Sequence, residues 1–547
     1  MGKFKLGLIV ENDPLNSFNL ELYKKINKKN LDIKFLVNKK RISKFSVLKK
    51  TIKLKGIHKI FSIIFFVILS IFEKFVIKIF FKNKFKIDYL YSKDNKKLEL
   101  INRKKIYLNP KINNNVYEYK NEDIKEIKKL KFDLLIRLNY GILKGDILNS
   151  SRLGVYSVHC GDNRKYRGGP SGFWEVLNQV PTTGFIIQKL NNKLDGGDII
   201  FRGQIPTQLF YKLNSDLVLK RSYMFLSKLI LDISKGNYWY QKEKKIILGK
   251  IYTYPSLSSI IKYIFKTYSY LVIKYLKKIL NDKEFWKINY QRGTLDKLII
   301  REPDDKYNLG KFIADPFIFF YQDEYYIFVE KYNFIRKKGC INIYKLVNDH
   351  LVDLGVILQE NFHLSFPFVF EHDNKIFICP ESYEAKEIRI YECTNFPMEW
   401  RYKKTILKNI SAVDTIIFRD KKYWYLLTNI DSSKSCDFSS ELHCYYTSNK
   451  SPITSKWIKH EKNPLIYNAN IGRNAGLIKY KNYLLRVSQK IGFDSYGAGF
   501  QLNKIKEISP KIYREEFINL KNYKKGFYDR SHHISYSNGL IAYDIKF

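Results

Sequence analysis

A chain of 547 residues with a formal charge of +44 is too long for a single small core, and its lysine excess raises the question of an anionic partner. Hydrophobic and charged fractions of 45% and 27% exclude a disordered, collagen-like or disulfide-scaffold protein and imply two or three globular domains. The lysines run from end to end among many Ile, Asn, Phe and Tyr, as A/T-rich coding DNA produces, and no arginine-rich groove or nucleic-acid module is present, so no nucleic-acid partner is expected.

The six cysteines (Cys160, Cys340, Cys379, Cys393, Cys436 and Cys444) form no CxxC pair and fit no zinc spacing. Reduced thiols, a cytoplasmic location and no metal site are the expectation. No signal peptide precedes the first strand.

Residues 4–11, FKLGLIVE, read as a buried parallel strand, followed by a helical period in SFNLELYKKINKK and a second strand in LDIKFLVNK. Residues 57–82, IHKIFSIIFFVILSIFEKFVIKIFFK, form an apolar insertion. Its uncharged run from Ile60 to Phe72 spans roughly 20 Å as a helix, short of the ~30 Å bilayer core. An amphipathic or buried helix is therefore expected rather than a spanning one. A second basic and apolar helix is expected over 259–280. Both suit a peripheral place on an anionic membrane or packing on the protein itself.

A short strand over 105–108, a helix over 122–130 and a strand over 132–138 complete an alternation that predicts a parallel sheet with helices on both faces. Such sheets bind ligands beyond the carboxyl ends of their strands. GVYSVH places Ser157 and His159 at such an end, and LDGGDII brings Asp195 and Asp198 on a later glycine turn. A histidine ending an apolar strand, with a carboxylate on a following turn, is a proton-transfer arrangement.

Residues 241–298 read as a lysine-rich helical connection, after an α/β domain over 1–240 that carries the insertion at 40–85. From 299 the helical periods stop. ADPFIFFYQDEYYIFVE from Ala314 has counterparts from Ser365, Ala412, Gly472 and Ser531, at a period of about 50 to 60 residues. Each has a polar opening, an apolar strand, a turn and an aromatic strand. Five such units predict a five-bladed β-propeller over 299–547. Their opening residues, Asp315, Pro367, Asp414, Arg473 with Asn474 and His532 with His533, would face one funnel, with Glu330 and Glu381 ending strands beside it. Carboxylates among aromatics suit a carbohydrate.

Taken in order, LNYGILKGDIL, GVYSVH, RKYRGGPSGFWEVLNQVPTTG and LDGGDII resemble the N-terminal domain of folate-dependent formyltransferases, the group that includes methionyl-tRNA formyltransferase and amino-sugar N-formyltransferases. The resemblance covers residues 132–203 and implies a Rossmann-like α/β fold and 10-formyltetrahydrofolate as formyl donor. It implies His159 as proton relay and Asp195 as its orienting partner. Ser157 stands where the family has an asparagine that donates to the developing oxyanion, and Asn163 is the nearest amide that could replace it. By the same resemblance, Tyr140, Gly141, Arg164, Arg167 and Gly168 contact the donor or a phosphate. The family's small β-barrel tail for tRNA has no counterpart.

The second half is similar to the propeller-like N-terminal domain of plant glucosamine inositolphosphorylceramide transferases. ADPFIF with YYIFVE is also similar to furanosidase-type glycosidases, whose acids come as aspartate, aspartate, glutamate, whereas the order here is Asp315, Glu381, Asp414. The expected function is formyl transfer to the amine of a nucleotide-linked amino sugar in surface glycan synthesis. The alternative is a degenerate formyltransferase scaffold carrying a glycan-binding or glycosyl-transferring propeller. Hydrolysis of the formyl donor by water is a third outcome.

Overall fold

The computed structural model describes residues 2–11, 17–40, 57–80, 105–113, 115–138, 141–192, 196–237, 248–280, 285–301, 312–448, 450–518 and 530–547; Tyr140 and Asp195 lie outside them. The chain divides into two compact units, Met1–Ile273 and Lys274–Phe547.

In the first unit the strands of the main sheet are β1 (Phe4–Glu11), β2 (Leu31–Asn38), β3 (Lys105–Leu108), β4 (Leu134–Arg137) and β5 (Val155–His159). A two-residue strand β6 (Arg167–Gly168) follows, and β7 (Thr182–Lys189) and β8 (Asp198–Pro206) complete the sheet. Its spatial order is β8-β7-β5-β4-β1-β2-β3. Strands β1 to β5 pair in parallel, whereas β7 is antiparallel to both β5 and β8. The parallel sheet read from the sequence therefore ends in an antiparallel hairpin, since β7 and β8 are joined by too short a segment for a crossover. A second two-residue strand, β9 (Ile251–Tyr252), pairs with β6.

The helices are α1 (Ser17–Ile26), α2 (Ile57–Phe80), α3 (Asn121–Lys129), α4 (Phe173–Leu177), α5 (Tyr211–Ser234) and α6 (Leu257–Ile279). Helix α3 buries Ile124 and Ile127 in a cluster with Ile9, Leu36, Leu135 and Val155. On α5, Phe225 stacks on Phe201 of β8 at 3.5 Å between ring centroids. Phe201 is level with Ile187, and Ile187 with Val158, so α5 covers the face opposite Val155. Helices thus lie on both faces, as the alternation predicts.

The second unit holds five antiparallel sheets. Strand β10 (Trp286–Arg292) lies inside the stretch read above as a helical connection. Its alternating Trp286-Lys287-Ile288 buries Trp286 and Ile288, and it pairs with the last strand of the chain. The first strands of the successive repeats are β11 (Ile313–Tyr321), β12 (Ser365–His372), β13 (Ala412–Asp420), β14 (Asn474–Tyr480) and β15 (Ile534–Ser537), followed by the terminal β16 (Leu540–Lys546). All five fall on the repeats read from the sequence. β11 neighbours β12, β12 neighbours β13, β13 neighbours β14, β14 neighbours β15, and β15 and β16 neighbour β11.

The polar openings have a backbone cause. Asp315, Phe366 and Asp414 have φ near +50°, each where the ladder of its strand slips. These are β-bulges, which release one residue from pairing and re-aim its side chain. Pro316 and Pro367 follow two of them, at positions where no ladder N–H is needed.

Candidate functional sites

In the first unit, β5 delivers Ser157 and His159 to one face of the sheet, two residues apart. Gln188 of β7 stands directly opposite Ser157 and so shares that face. Its Oε1 accepts from the Gly197 N–H at 3.2 Å, and Asn191 Nδ2 donates to the Gly196 carbonyl at 3.0 Å. The described end of the glycine turn is therefore anchored on the same face as Ser157 and His159.

Ser157 is buried, with Oγ 3.4 Å from the Val158 carbonyl, and His159 Nε2 lies 3.3 Å from the Tyr166 carbonyl. The chain must turn tightly beside this imidazole. A Cβ on Gly161 would lie 2.6 Å from the Tyr166 carbonyl and 3.0 Å from His159 Nε2, so only glycine fits without displacing the histidine.

The arginine-glycine loop is braced from within. Asp162 accepts from Arg164 and, at 2.6 Å, from Arg202. Burial alone would raise the Asp162 carboxyl, but hydrogen bonds from Arg164 and the charge of Arg202 outweigh it and hold the group below the ordinary carboxylate range. Asn163 is fully buried; its Oδ1 accepts from Arg202 and its carbonyl accepts from Gly249. Arg167 Nη1 reaches the Gly249 carbonyl at 3.4 Å. Gly168 has φ +80°, with Tyr252 O 2.2 Å from where a Cβ would sit. Gly141 also has positive φ, +90°. Arg164 and Asn163 thus serve the loop's own geometry, while Ser157 and His159 terminate the strand.

Sequence reading places Asp162 beside the site as a polar group but missed Arg202, Gln188 and Glu175. The last is a lone acid in the apolar GFWEVL, a legible signal of a buried carboxyl. Burial raises it to about 7, and its Oε1 has no hydrogen-bond partner among the described residues.

In the second unit the bulges converge on one buried polar cluster. His532 Nε2 lies 3.2 Å from Asp315 Oδ1, and its Nδ1 lies 3.0 Å from Asp544 Oδ2. Asp544 also accepts from the backbone N–H groups of His532, His533 and Asp315. Burial alone would lower His532, but the two carboxylates overcome it and raise the imidazole to about 10. It is a buried cation joining β11 to β16.

Asp414 pairs with Arg473, whose guanidinium lies 4.6 Å from the Tyr496 ring centroid. Burial, then the negative charge of Asp414, raises Glu381 well above the carboxylate range; burial, then Asp315, does the same to Glu330. Glu381 is thus a buried acid beside the carboxylate Asp414. His533, lowered to about 4 chiefly by burial, is neutral, and neither ring nitrogen has a hydrogen-bond partner among the described residues. Of the residues read from the sequence as facing the funnel, Asp315, Glu330, Glu381, Asp414, Arg473 and His532 are brought together. His533 was read with His532 as a repeat opening, whereas Asp544 and Tyr496 were missed because they lie outside those openings.

Asp315, His532 and Asp544 also have the geometry of a metal-binding group. The imidazolium between the two carboxylates already supplies the positive charge a metal would bring.

Comparison with known proteins separates the same two regions. Residues 299–537 match the family model for the N-terminal region of glucosamine inositolphosphorylceramide transferase 1. The chain is 36% identical over 212 residues to glucosamine inositolphosphorylceramide transferase 1 of Arabidopsis thaliana, a match covering 38% of this chain and 27% of that protein. It is 30% identical over 159 residues to methionyl-tRNA formyltransferase of Prochlorococcus marinus (strain MIT 9312), covering 28% of this chain and 47% of that protein. The chain therefore spans under a third of the plant relative and about half of the bacterial one. Among solved structures, a sugar N-formyltransferase from a Shewanella species aligns at 14% identity and a TM-score of 0.29, over 48% of this chain and 87% of that one. The N-terminal region is formyltransferase-like, and the C-terminal region is related to the plant transferases' N-terminal domain.

Proposed function

We propose that the first unit transfers a formyl group from 10-formyltetrahydrofolate to the amine of a nucleotide-linked amino sugar, in surface glycan synthesis. The observation that carries this reading is the shared sheet face. His159 and Ser157 end β5, and Gln188, directly across from Ser157, holds Gly197 of the LDGGD turn. The donor, when bound, supplies the formyl carbon. His159 would take a proton from the attacking amine and return one to the departing nitrogen. The Ser157 hydroxyl would donate a hydrogen bond to the formyl oxygen as negative charge collects there. Asp195 is assigned the orientation of His159, and Tyr140, Gly141, Arg167 and Gly168 the binding of the donor.

In the same proposal the five sheets of the second unit form a five-bladed β-propeller whose axial cluster (Asp315, Glu330, Glu381, Asp414, Arg473 and His532) recognises a sugar or glycan. The neighbour-to-neighbour order of the first strands supports it. The unpaired thiols suit a cytoplasmic location.

One observation favours the second reading, a degenerate scaffold serving a glycan-binding or glycosyl-transferring module. Ser157 holds the position of the family's asparagine, and the nearby amide of Asn163 is buried with Arg202. Incubation with 10-formyltetrahydrofolate and a panel of nucleotide-linked amino sugars separates the two. Formylated product, retained or increased in Ser157→Asn, supports the first reading. No product from either protein, with no folate binding, leaves only the second.

A further inference from the structure

Helix α2 divides lengthwise into two stripes. Ser62, Phe66, Leu69, Glu73 and Ile77 are buried, at the i, i+3, i+4 spacing of one helix face. Phe61, Ile64, Ile68, Ile71, Phe75 and Ile79 are each half or more exposed, on the other face. So large a contiguous apolar stripe is unusual on a monomer surface.

The buried stripe is fastened along its length. Phe66 packs on Tyr211 and Phe173 at 4.9 and 5.3 Å, and Phe72 meets Tyr268 of α6. Glu73 accepts from the Tyr263 hydroxyl of α6 and, at 2.8 Å, from the Lys212 N–H. Helix α6 continues the exposed surface with Ile261, Phe265 and Val272 while burying Ile260, Tyr263 and Thr267.

The charge on this surface has one sign. The single acid of α2 is Glu73, which is buried, and the sequence of α6 contains none. Lys78 and Lys262 are exposed beside the apolar side chains. A second copy of the same face would set lysines against lysines, on a chain already at +44. An anionic bilayer offers apolar depth to the phenylalanines and phosphate to the lysines, whose stems can snorkel to it.

By length and composition α2 could cross a membrane. Standing across one, however, would tear Glu73, Phe66 and Leu69 from their partners along the whole helix and carry a carboxyl into hydrocarbon.

We infer that the exposed faces of α2 and α6 form an in-plane docking surface for an anionic lipid bilayer, and that the protein is monotopic. This stands independently of the formyl-transfer reading.

The test is co-sedimentation of the full chain with phosphatidylcholine vesicles, with and without a quarter phosphatidylglycerol. Binding to the anionic vesicles is expected, with release by alkaline carbonate. It should fall at least about tenfold in Ile68→Glu/Phe75→Glu, with far-UV circular dichroism unchanged. If that variant misfolds, Ile68→Ser/Phe75→Ser serves instead, with a smaller loss in the same direction. Four results overturn the inference: no binding by the wild type, binding untouched in the folded variant, retention through carbonate, or self-association that the variant abolishes without any partition to vesicles.

Discussion

The two polar sites are built on opposite principles. In the C-terminal unit Asp315 and Asp414 of the bulged first strands meet Glu330, Glu381 and Asp544 of other strands, and His532, Arg473 and backbone N–H groups answer the ionised carboxylates. In the N-terminal unit the strongly paired charges join the loop residues Asp162 and Arg164 to Arg202 of β8. Ser157 Oγ and His159 Nε2 lie 3.4 and 3.3 Å from the Val158 and Tyr166 carbonyls, long for such bonds. Its buried ion pairs make the first cluster a keystone of its fold. In the proposed function, the long bonds at Ser157 and His159 are ones that a substrate displaces.

The sharpest way to break that contrast is His159→Ala. If the imidazole relays the proton, formyl transfer should fall by about 10²- to 10⁴-fold in kcat, while the unfolding midpoint moves little. A large loss of stability with activity retained would reverse the assignment and make His159 structural. Asp544→Ala should do the opposite. It leaves three backbone N–H groups without their acceptor and a buried imidazolium with one carboxylate instead of two, at a cost of about 3–5 kcal/mol in urea unfolding. Unchanged stability would mean that the cluster is held open by other contacts.

Much of this contrast was legible from the chain. The alternation of apolar strands and helical periods yields the first unit's layers, and the five aromatic repeats yield the first strands of successive sheets in the second. Residues marked by local chemistry were found: His159 at a strand end, and Asp315 before a proline. What stayed hidden depends on tertiary register. Gln188 matters because it falls opposite Ser157, and Asp544 because the chain's last strand returns beside β11. Strand β10 was concealed by its lysine-rich surroundings, although its own alternation is clear. The hairpin of β7 and β8 was hidden because an apolar run reads alike in either direction.

Glu175 offers the finest discrimination, because burial dominates its ionisation and the neighbouring charge of Asp162 adds to the effect instead of offsetting it. Desolvation lifts its carboxyl from 4.5 to about 7. A raised carboxylate pKa means that the folded state holds a proton the unfolded chain has released, so the linked stability is complete below pH 4.5. It is lost as pH rises to about 7 and stays lost above that. The shift corresponds to at most about 3 kcal/mol between pH 4.5 and 8. Glu175→Gln keeps the shape and removes the titration. Urea unfolding of the wild type should therefore weaken more than that of the variant across this window, and the two should differ most at pH 8. Because Glu175 lies on α4 rather than on β5, the pH profile of formyl transfer should be the same in both proteins. A shifted rate profile in Glu175→Gln would bring this buried acid into the proton relay and erase the separation between scaffold and chemistry within the first unit.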